Sequence, residues 1–264
     1  MLQHMELFAG AGGGLLGAKL AGFETVCAVE INDFRRGIIQ KRIDEGYLPR
    51  MTLKRRVESI DGDDWRGRID IISGGFPCQD ISAAGKGKGI EQGEKSGLWR
   101  EYARILREIR PHFALVENSP RLTVKGLGTI LADLAAMGYD AEWEVLSAME
   151  CGAPHLRRRM WILAVERRDM ADRVRRRLAQ SLETSRLKEQ LADASRVGKQ
   201  SAAPRRWKVE PRLGRMADGM ANRVDRIKAL GAGQVPRVFN IAFWGLLGRY
   251  FRRENLLSQI AFAT

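Results

Sequence analysis

The chain is poor in cysteine and contains no long hydrophobic run. Among its 264 residues, only Cys27, Cys78 and Cys151 are cysteines, which is too few for a disulfide framework and gives no paired Cys-x-x-Cys metal motif. No stretch approaches the roughly 18 apolar residues of a membrane span, and the start MLQHMELFAG lacks the pattern of a signal peptide. We therefore expect a cytoplasmic protein with reduced thiols and with neither a metal nor a membrane partner.

The chain also has fewer acidic than basic residues, with 32 Asp and Glu against 45 Lys and Arg, which gives a formal net charge of +13. Residues 166–215 alone hold 15 basic and 7 acidic residues, or 15 − 7 = +8 of this excess. Such a cluster favours a nucleic-acid partner, with an affinity that falls steeply as salt rises. A solvated basic surface without a polyanionic partner would have the same composition.

The first 165 residues alternate short apolar runs with longer amphipathic ones. Helices are predicted over 98–109, ended by Pro111, and over 127–137, closed by Gly138. Strands are predicted at MELF, ETVCAVE, IDIIS, FALVE, EWEVL and MWILAV. This alternation predicts an α/β fold with a mostly parallel sheet and helices on both faces.

The character of the chain changes after Val165. Residues 166–200 are rich in arginine and favour helix, and residues 201–220 carry prolines and glycines typical of an irregular loop. A helical pattern resumes at Val224, is interrupted at GAGQVP, and continues through RVFNIAFWGLLGRYF.

A glycine-rich stretch, FAGAGGGLLG, follows the first predicted strand and opens the first predicted helix. Gly10, Gly12 and Gly13 would let the backbone approach a ligand closely. Glu30 ends the second strand, where a carboxylate can accept hydrogen bonds from ribose hydroxyls. The stretch is neither a strict G-x-G-x-x-G motif nor a Walker loop, and a tight strand-to-helix turn with an incidental acid would look the same. We interpret it as the site of a nucleoside-bearing cofactor.

Three further segments carry chemically useful side chains at the ends of predicted strands. ISGGFPCQDIS places Cys78 among glycines and polar residues, which favours a nucleophilic thiol over a buried small hydrophobe. FALVENSP places Glu117 and Asn118 directly after a strand, as a site or as a helix cap. CGAPHLRRRMWILA puts Arg157 and Arg159 on one side of an extended stretch, where they form either a solvated rim or donors to a phosphate or base carbonyl.

These segments, in this order and spacing, resemble the S-adenosylmethionine-dependent cytosine-C5 DNA methyltransferases. The stretches that carry the resemblance are ELFAGAGGGLLGAKLAGFETVCAVE, DIISGGFPCQDIS, FALVENSP and CGAPHLRRRMWILA, and NRVDRIKALGAGQVP resembles the C-terminal segment of phage and prophage members. The resemblance implies a Rossmann-like methyltransferase fold with a catalytic, cofactor-binding domain at 1–165. It also implies a reduced recognition region at 166–217 and a segment at 218–264 that returns to the catalytic domain. No DPPY-like tetrapeptide of the amino-group methyltransferases is present.

The resemblance implies a role for each site residue. Cys78 would bond to C6 of a flipped cytosine, Glu117 would hold the base edge at N3, and Arg157 and Arg159 would contact the base carbonyl or a phosphate. SAAGKGKGI resembles the loop that closes over that base. The residues that would contact S-adenosylmethionine are Phe8, Gly10, Gly12, Gly13, Glu30, Pro77 and Leu98. We expect a monomer that acts on double-stranded DNA in a bacterial or phage-infected cell, near the nucleoid, with a cognate restriction endonuclease.

Several features depart from the family pattern. Arg56 stands where phage-type relatives carry an aspartate, and Ala232 replaces an asparagine. Residues 166–217 are few for a recognition domain, so we predict short or relaxed target recognition. Two alternatives stay open: a tRNA cytosine-C5 methyltransferase, which shares the fold and motifs, and a non-catalytic DNA-binding homologue.

Overall fold

The computed structural model describes residues 1–77, 97–167, 172–184 and 223–254. Within these ranges the chain forms seven strands and seven α-helices around one sheet. The strands are β1 Gln3–Leu7, β2 Glu24–Val29, β3 Thr52–Lys54, β4 Ile71–Gly74, β5 Phe113–Asn118, β6 Tyr139–Ser147 and β7 Arg158–Glu166. The helices are α1 Gly13–Leu20, α2 Asp33–Asp44, α3 Gly97–Ile109, α4 Leu127–Ala136, α5 Asp172–Thr184, α6 Arg223–Ala232 and α7 Pro236–Arg253.

The strands follow the order β3-β2-β1-β4-β5-β7-β6. The first five in this order are parallel, whereas β7 runs antiparallel to both β5 and β6. All six predicted strands are confirmed, as is the mostly parallel sheet. Strand β3 was not predicted, because three residues at a sheet edge are too few to show a periodic pattern.

Helices cover both faces of the sheet, as predicted. Along β5, Ala114 and Val116 belong to a core shared with α3 and α4, whereas Phe113 and Leu115 belong to a core shared with α7. Alternate residues of a strand point to opposite faces, so a strand buried on both sides is apolar throughout. This burial explains the continuous apolar runs of the sequence.

The predicted ends of two helices are confirmed. Helix α3 buries Trp99, Tyr102 and Leu106 on one face and ends just before Pro111. Helix α4 ends near Gly138, which has φ +84°, a conformation that favours glycine. Among the described helices, none is both long and apolar enough to cross a membrane.

The C-terminal helix α7 packs closely on α1. Gly17 has no side chain, and a Cβ at this position would lie 2.5 Å from Cβ of Phe239. Val238, Phe243 and Leu247 are buried with it over the sheet. The segment after the predicted recognition region therefore completes the core of the sheet.

The basic helix α5 lies at the amino edge of the sheet. Ser181 Oγ accepts a hydrogen bond from the backbone N–H of Leu2, which precedes β1. Arg177 Nη1 lies 2.7 Å from Oδ2 of Asp70, which precedes β4. This part of the predicted recognition region is therefore anchored opposite the carboxyl ends of the parallel strands. Most of region 166–217 lies outside the described residues, so its role stays a prediction.

Candidate active site

A cleft of about 490 Å³ opens at the carboxyl edge of the parallel strands. The chain reaches it directly after β1, β2, β4 and β5. Because β7 is antiparallel to β5, its first residues arrive at the same edge, and Met160 pairs with Asn118. The sheet topology thus gathers residues far apart in sequence. Of the predicted site residues, those lining the cleft are Phe8, Gly10, Glu30, Pro77, Leu98, Glu117, Arg157 and Arg159.

The glycine turn after β1 is fixed by the carboxylate of Glu30. Oε2 of Glu30 accepts the backbone N–H of Gly10 at 2.7 Å, and Oε1 accepts the backbone N–H of Asn32 at 2.9 Å. Phe8 and Gly10 have φ of +56° and +58°, so the backbone turns sharply into the cleft. Each carboxylate oxygen keeps a further lone pair for a ligand hydroxyl.

Of the other two predicted glycines, only Gly13 is required by packing within the protein, whereas Gly12 lies at φ +92°, a conformation that favours glycine. A Cβ at Gly12 would lie 3.7 Å from the side chains of Leu15 and Ile39. A Cβ at Gly13 would collide with the backbone carbonyl of Gln234. Neither glycine lines the cleft. The backbone that approaches Gly13 closely is that of Gln234, in the segment between α6 and α7.

The close packing of Gly13 against the backbone of Gln234 gives a prediction about stability. We expect Gly13→Ala to destabilise the protein by about 1–3 kcal/mol, because a backbone carbonyl cannot yield as a flexible side chain can. Gly37→Ala is the matched control, since a Cβ at this exposed α2 position meets nothing within 4 Å. Urea unfolding measures both. An equal stability for the Gly13→Ala protein and the wild type would contradict the packing described.

The segment after β4 enters the cleft at Phe76 and Pro77. Asn118 Nδ2 donates to the backbone carbonyl of Phe76 at 3.2 Å, which ties this segment to the end of β5. Cys78 and the predicted closing loop follow and lie outside the described residues. The predicted nucleophile therefore stays a prediction, although its preceding residue faces the cleft.

Glu117 is a buried acid beside two arginines. It is 7% exposed, and Oε1 lies 2.9 Å from Nε of Arg159. Burial raises the pKa of Glu117, the positive charges of Arg159 and Arg157 oppose this, and the negative charge of Glu6 adds to it. The contact with Arg159 is poorly directed, because Oε1 has no hydrogen-bond partner of good geometry among the described residues. A carboxyl with a raised pKa keeps its proton to higher pH than an exposed one, as a general acid does.

Arg157 is engaged by the protein's own backbone. Its Nη1 donates to the carbonyl of Gly231 at 2.9 Å, and its Nη2 donates to that of Gly233 at 2.7 Å. These carbonyls lie at the end of α6 and in the turn before α7. The structure thus gives Arg157 a role in holding the C-terminal segment beside the cleft, and its predicted contact with the base stays a prediction.

Several residues of the cleft were not predicted from the sequence. The cleft is also lined by Arg35, Arg55 and Glu58. It is lined as well by Arg56, which the sequence marked only as a departure from the family pattern and whose Nη2 lies 3.1 Å from Oε1 of Glu58. Arg55 and Arg56 follow the short β3, which the apolar pattern did not reveal. Within the ranges that the structure covers, no group of three or more His, Cys, Asp or Glu is placed to hold a metal ion.

Comparisons with known proteins agree with this architecture. The chain is 36% identical over 176 residues to the Type II methyltransferase M.Eco47II of Escherichia coli, covering 64% of this chain and 40% of that protein. A crystal structure of an E. coli prophage-encoded DNA modification methyltransferase is 28% identical, with a TM-score of 0.51, covering 66% of this chain and 50% of that one. The fold is shared with DNMT2 of Spodoptera frugiperda, which is 21% identical and has a TM-score of 0.51. The match covers 64% of this chain and 54% of the DNMT2 chain.

The family itself is shown by a match along most of the chain. The profile of the C-5 cytosine-specific DNA methylases matches residues 2–214, which include the glycine turn, Glu30, Glu117 and both arginines of the cleft. The chain spans about half or less of the full length of the relatives above. By this match, together with its Rossmann-like sheet, the chain belongs to the C-5 cytosine-specific DNA methylase family.

Proposed function

We propose that the protein transfers a methyl group from S-adenosylmethionine to C5 of cytosine in double-stranded DNA. The observation that carries this proposal is the cleft itself. It brings a buried acid, Glu117, to the same edge as the glycine turn fixed by Glu30 and the segment that leads to Cys78. Family membership supports the same reaction.

The cleft fits the cofactor. Its volume of about 490 Å³ falls within the range of about 300–1,000 Å³ that is usual for ligand pockets. Both oxygens of Glu30 can accept hydrogen bonds from ribose hydroxyls, while Phe8 and Leu98 offer apolar surface. A Cβ at Gly10 would meet nothing within 4 Å, so the backbone there borders open space. When bound, the cofactor supplies a methyl group activated on a sulfonium.

The chain's own residues supply the activation of the base. The thiolate of Cys78 adds to C6 of cytosine, and the displaced electron pair increases the nucleophilicity of C5. Glu117 donates its proton to N3, which neutralises the charge that develops on the ring. After C5 is methylated it loses its proton to a base, the thiolate leaves C6, and N3 returns its proton to Glu117, which restores the neutral aromatic ring and the general acid.

Arg159 acts on Glu117 in this scheme. Its guanidinium lies beside Oε1 of Glu117 and therefore stabilises the carboxylate that remains once the proton has moved to the base. The target cytosine must leave the stacked duplex to reach this edge of the sheet, so base flipping is part of the reaction.

A methyl-transfer assay tests the proposal. We expect tritiated methyl groups from S-adenosylmethionine to appear in duplex DNA, and not in duplex DNA whose cytosines are already methylated at C5. Transfer to tRNA alone would identify the tRNA methyltransferase instead. Binding of DNA without any transfer would identify the non-catalytic homologue.

The predicted relaxed target recognition has its own measurement. Methylated positions mapped by bisulfite sequencing of random duplex DNA should share a short or degenerate sequence, because region 166–217 offers few residues to contact base edges. A stringent site of six or more base pairs would contradict this.

A further inference from the structure

Helix α6 ends at the cleft without a positive charge of its own. Its last turn, residues 229–232, has the sequence ALGA, which contains no lysine, arginine or histidine. Gly231 in this turn lines the cleft. The last carbonyls of a helix have no partner within the helix and carry the negative end of its dipole, so they favour donors and positive charge. In this fold the donors come from other elements.

Two arginines from distant parts of the chain supply these donors. Arg157, directly before β7, donates from Nη1 to the carbonyl of Gly231 at 2.9 Å and from Nη2 to that of Gly233 at 2.7 Å. Arg35 on α2 donates from Nη2 to the carbonyl of Lys228 at the longer distance of 3.4 Å. Both arginines line the cleft. The end of α6 is therefore held beside the cleft by two separate elements, α2 and the start of β7.

The two arginines lie at different ends of the proposed site. Nη1 of Arg35 lies 3.9 Å from Oε1 of Glu30, the carboxylate assigned to the cofactor's ribose. Arg157 faces Glu117, and the charge of each acts on the pKa of the other. The end of α6 is thus connected both to the carboxylate of the cofactor site and to the acid of the base site.

The guanidinium of Arg157 would be costly to keep here without partners. Burial and the positive charge of Arg159 lower the pKa of Arg157, whereas the negative charge of Glu117 opposes this. Hydrogen bonds from a charged donor are among the stronger ones in proteins, so the two carbonyls offset the cost of burial. Both terminal nitrogens of Arg157 are therefore engaged by the C-terminal segment before any ligand binds.

We propose that Arg35 and Arg157 are positioning residues that hold the end of α6 in place as a wall of the cofactor cleft. Arg157 then acts on the cofactor site through α6, which differs from the contact with the base or a phosphate that the family resemblance implies. The identity of the cofactor rests on the proposed function, whereas the hold on α6 does not.

Arg157→Met tests this role, because methionine fills part of the same space but has no donor. We expect its affinity for S-adenosylmethionine, measured by calorimetry without DNA, to fall at least about tenfold, since two charge-assisted hydrogen bonds are lost. In the methyl-transfer assay the KM for the cofactor should rise by a similar factor, while kcat at saturating cofactor should change by less than about threefold. Unchanged cofactor affinity with a lower kcat would assign Arg157 to the base and overturn the proposal.

The neighbouring arginine provides the matched control. Arg158 is exposed at the start of β7, and Arg158→Met removes the same charge from the same stretch of chain. We expect this variant to bind S-adenosylmethionine as the wild type does. An equal loss of affinity in the Arg158 and Arg157 variants would show that the net charge near the cleft matters, and not the contact with α6.

A double-mutant cycle tests whether the two arginines hold the same wall. Arg35→Met alone should also weaken cofactor binding. In the Arg157→Met background the same change should weaken it by a clearly smaller factor, because the end of α6 is already released. The same factor in both backgrounds would show that Arg35 acts on the ligand independently, and would overturn the joint role.

Hydrogen exchange tests the hold on α6 without cofactor or DNA. The backbone N–H of Gly233 donates to the carbonyl of Ala229 at the end of the helix. Its exchange should be at least about tenfold faster in Arg157→Met, whereas that of Met137, bonded to the carbonyl of Asp133 at the end of α4, should be unchanged. Equal exchange at Gly233 in variant and wild type would refute the hold. A wild type that does not bind S-adenosylmethionine would refute the proposed function and leave the exchange result standing.

Discussion

Replacing Cys78 by serine is expected to lower methyl transfer by at least about 10⁴-fold, as loss of a nucleophile does in other covalent enzymes. A serine hydroxyl does not ionise near neutral pH, so it cannot add to C6 of cytosine. DNA affinity should be unchanged, because the change removes no charge. Steady-state transfer of tritiated methyl groups and fluorescence anisotropy of labelled duplex DNA measure the two quantities.

The other two cysteines provide the control for this experiment. Burial raises the pKa of Cys27 to about 12 and that of Cys151 to about 11, so both remain protonated thiols. We expect Cys151→Ala to retain methyl transfer. A Cys78→Ser protein with more than a few per cent of wild-type activity would show that the thiol is not the nucleophile.

Replacing Glu117 by glutamine is expected to lower kcat by about 10²–10⁴-fold, the usual contribution of a general acid. Because burial raises the pKa of Glu117, the wild type should keep this proton to higher pH than an exposed glutamate would, and lose activity as the pH rises through that raised pKa. Glutamine has no proton to lose in this range. The variant's residual kcat should therefore lack the alkaline limb.

The measurement is a pH profile of kcat for both proteins, with cofactor affinity followed by calorimetry. Affinity for S-adenosylmethionine should be unchanged, because the cofactor's ribose is assigned to Glu30. The same alkaline limb in both proteins would assign the titration to another group.

The sequence was enough to place most of the sheet and the edge at which the site lies. Strands β1, β4, β5 and β7 are buried along most of their length, which gives them short apolar runs, and parallel strands bring their carboxyl ends together. Glu30 and Glu117 could therefore be assigned to one edge from the strand pattern alone. The pairing of Asn118 with Met160, which brings the start of β7 to the same edge, depends on an antiparallel strand that no local pattern reveals.

The contacts of individual residues were less predictable, because they depend on segments distant in sequence. A glycine pattern shows that a Cβ is not tolerated, but not whether the close neighbour is a ligand or the protein. Gly10 borders the cleft, whereas Gly13 borders the backbone of Gln234, some 220 residues later. Arg157 likewise holds the carbonyls of Gly231 and Gly233, which nothing in its own segment indicates.

Net charge located a basic region but did not show that its helix α5 lies at the amino edge of the sheet. Arg177, counted in the sequence as part of a DNA-binding surface, pairs with Asp70 at the amino edge. A count of charges cannot distinguish an arginine that is paired within the fold from one that is free to meet a phosphate.

Trapping on duplex DNA that contains 5-fluorocytosine tests the central claim most directly. Fluorine replaces the proton that must leave C5, so the reaction stops with the thiol still bonded to C6. With S-adenosylmethionine present, mass spectrometry should show a covalent protein–DNA adduct that maps to the peptide containing Cys78. Intact protein and DNA with no adduct, or an adduct on any other residue, would contradict the account.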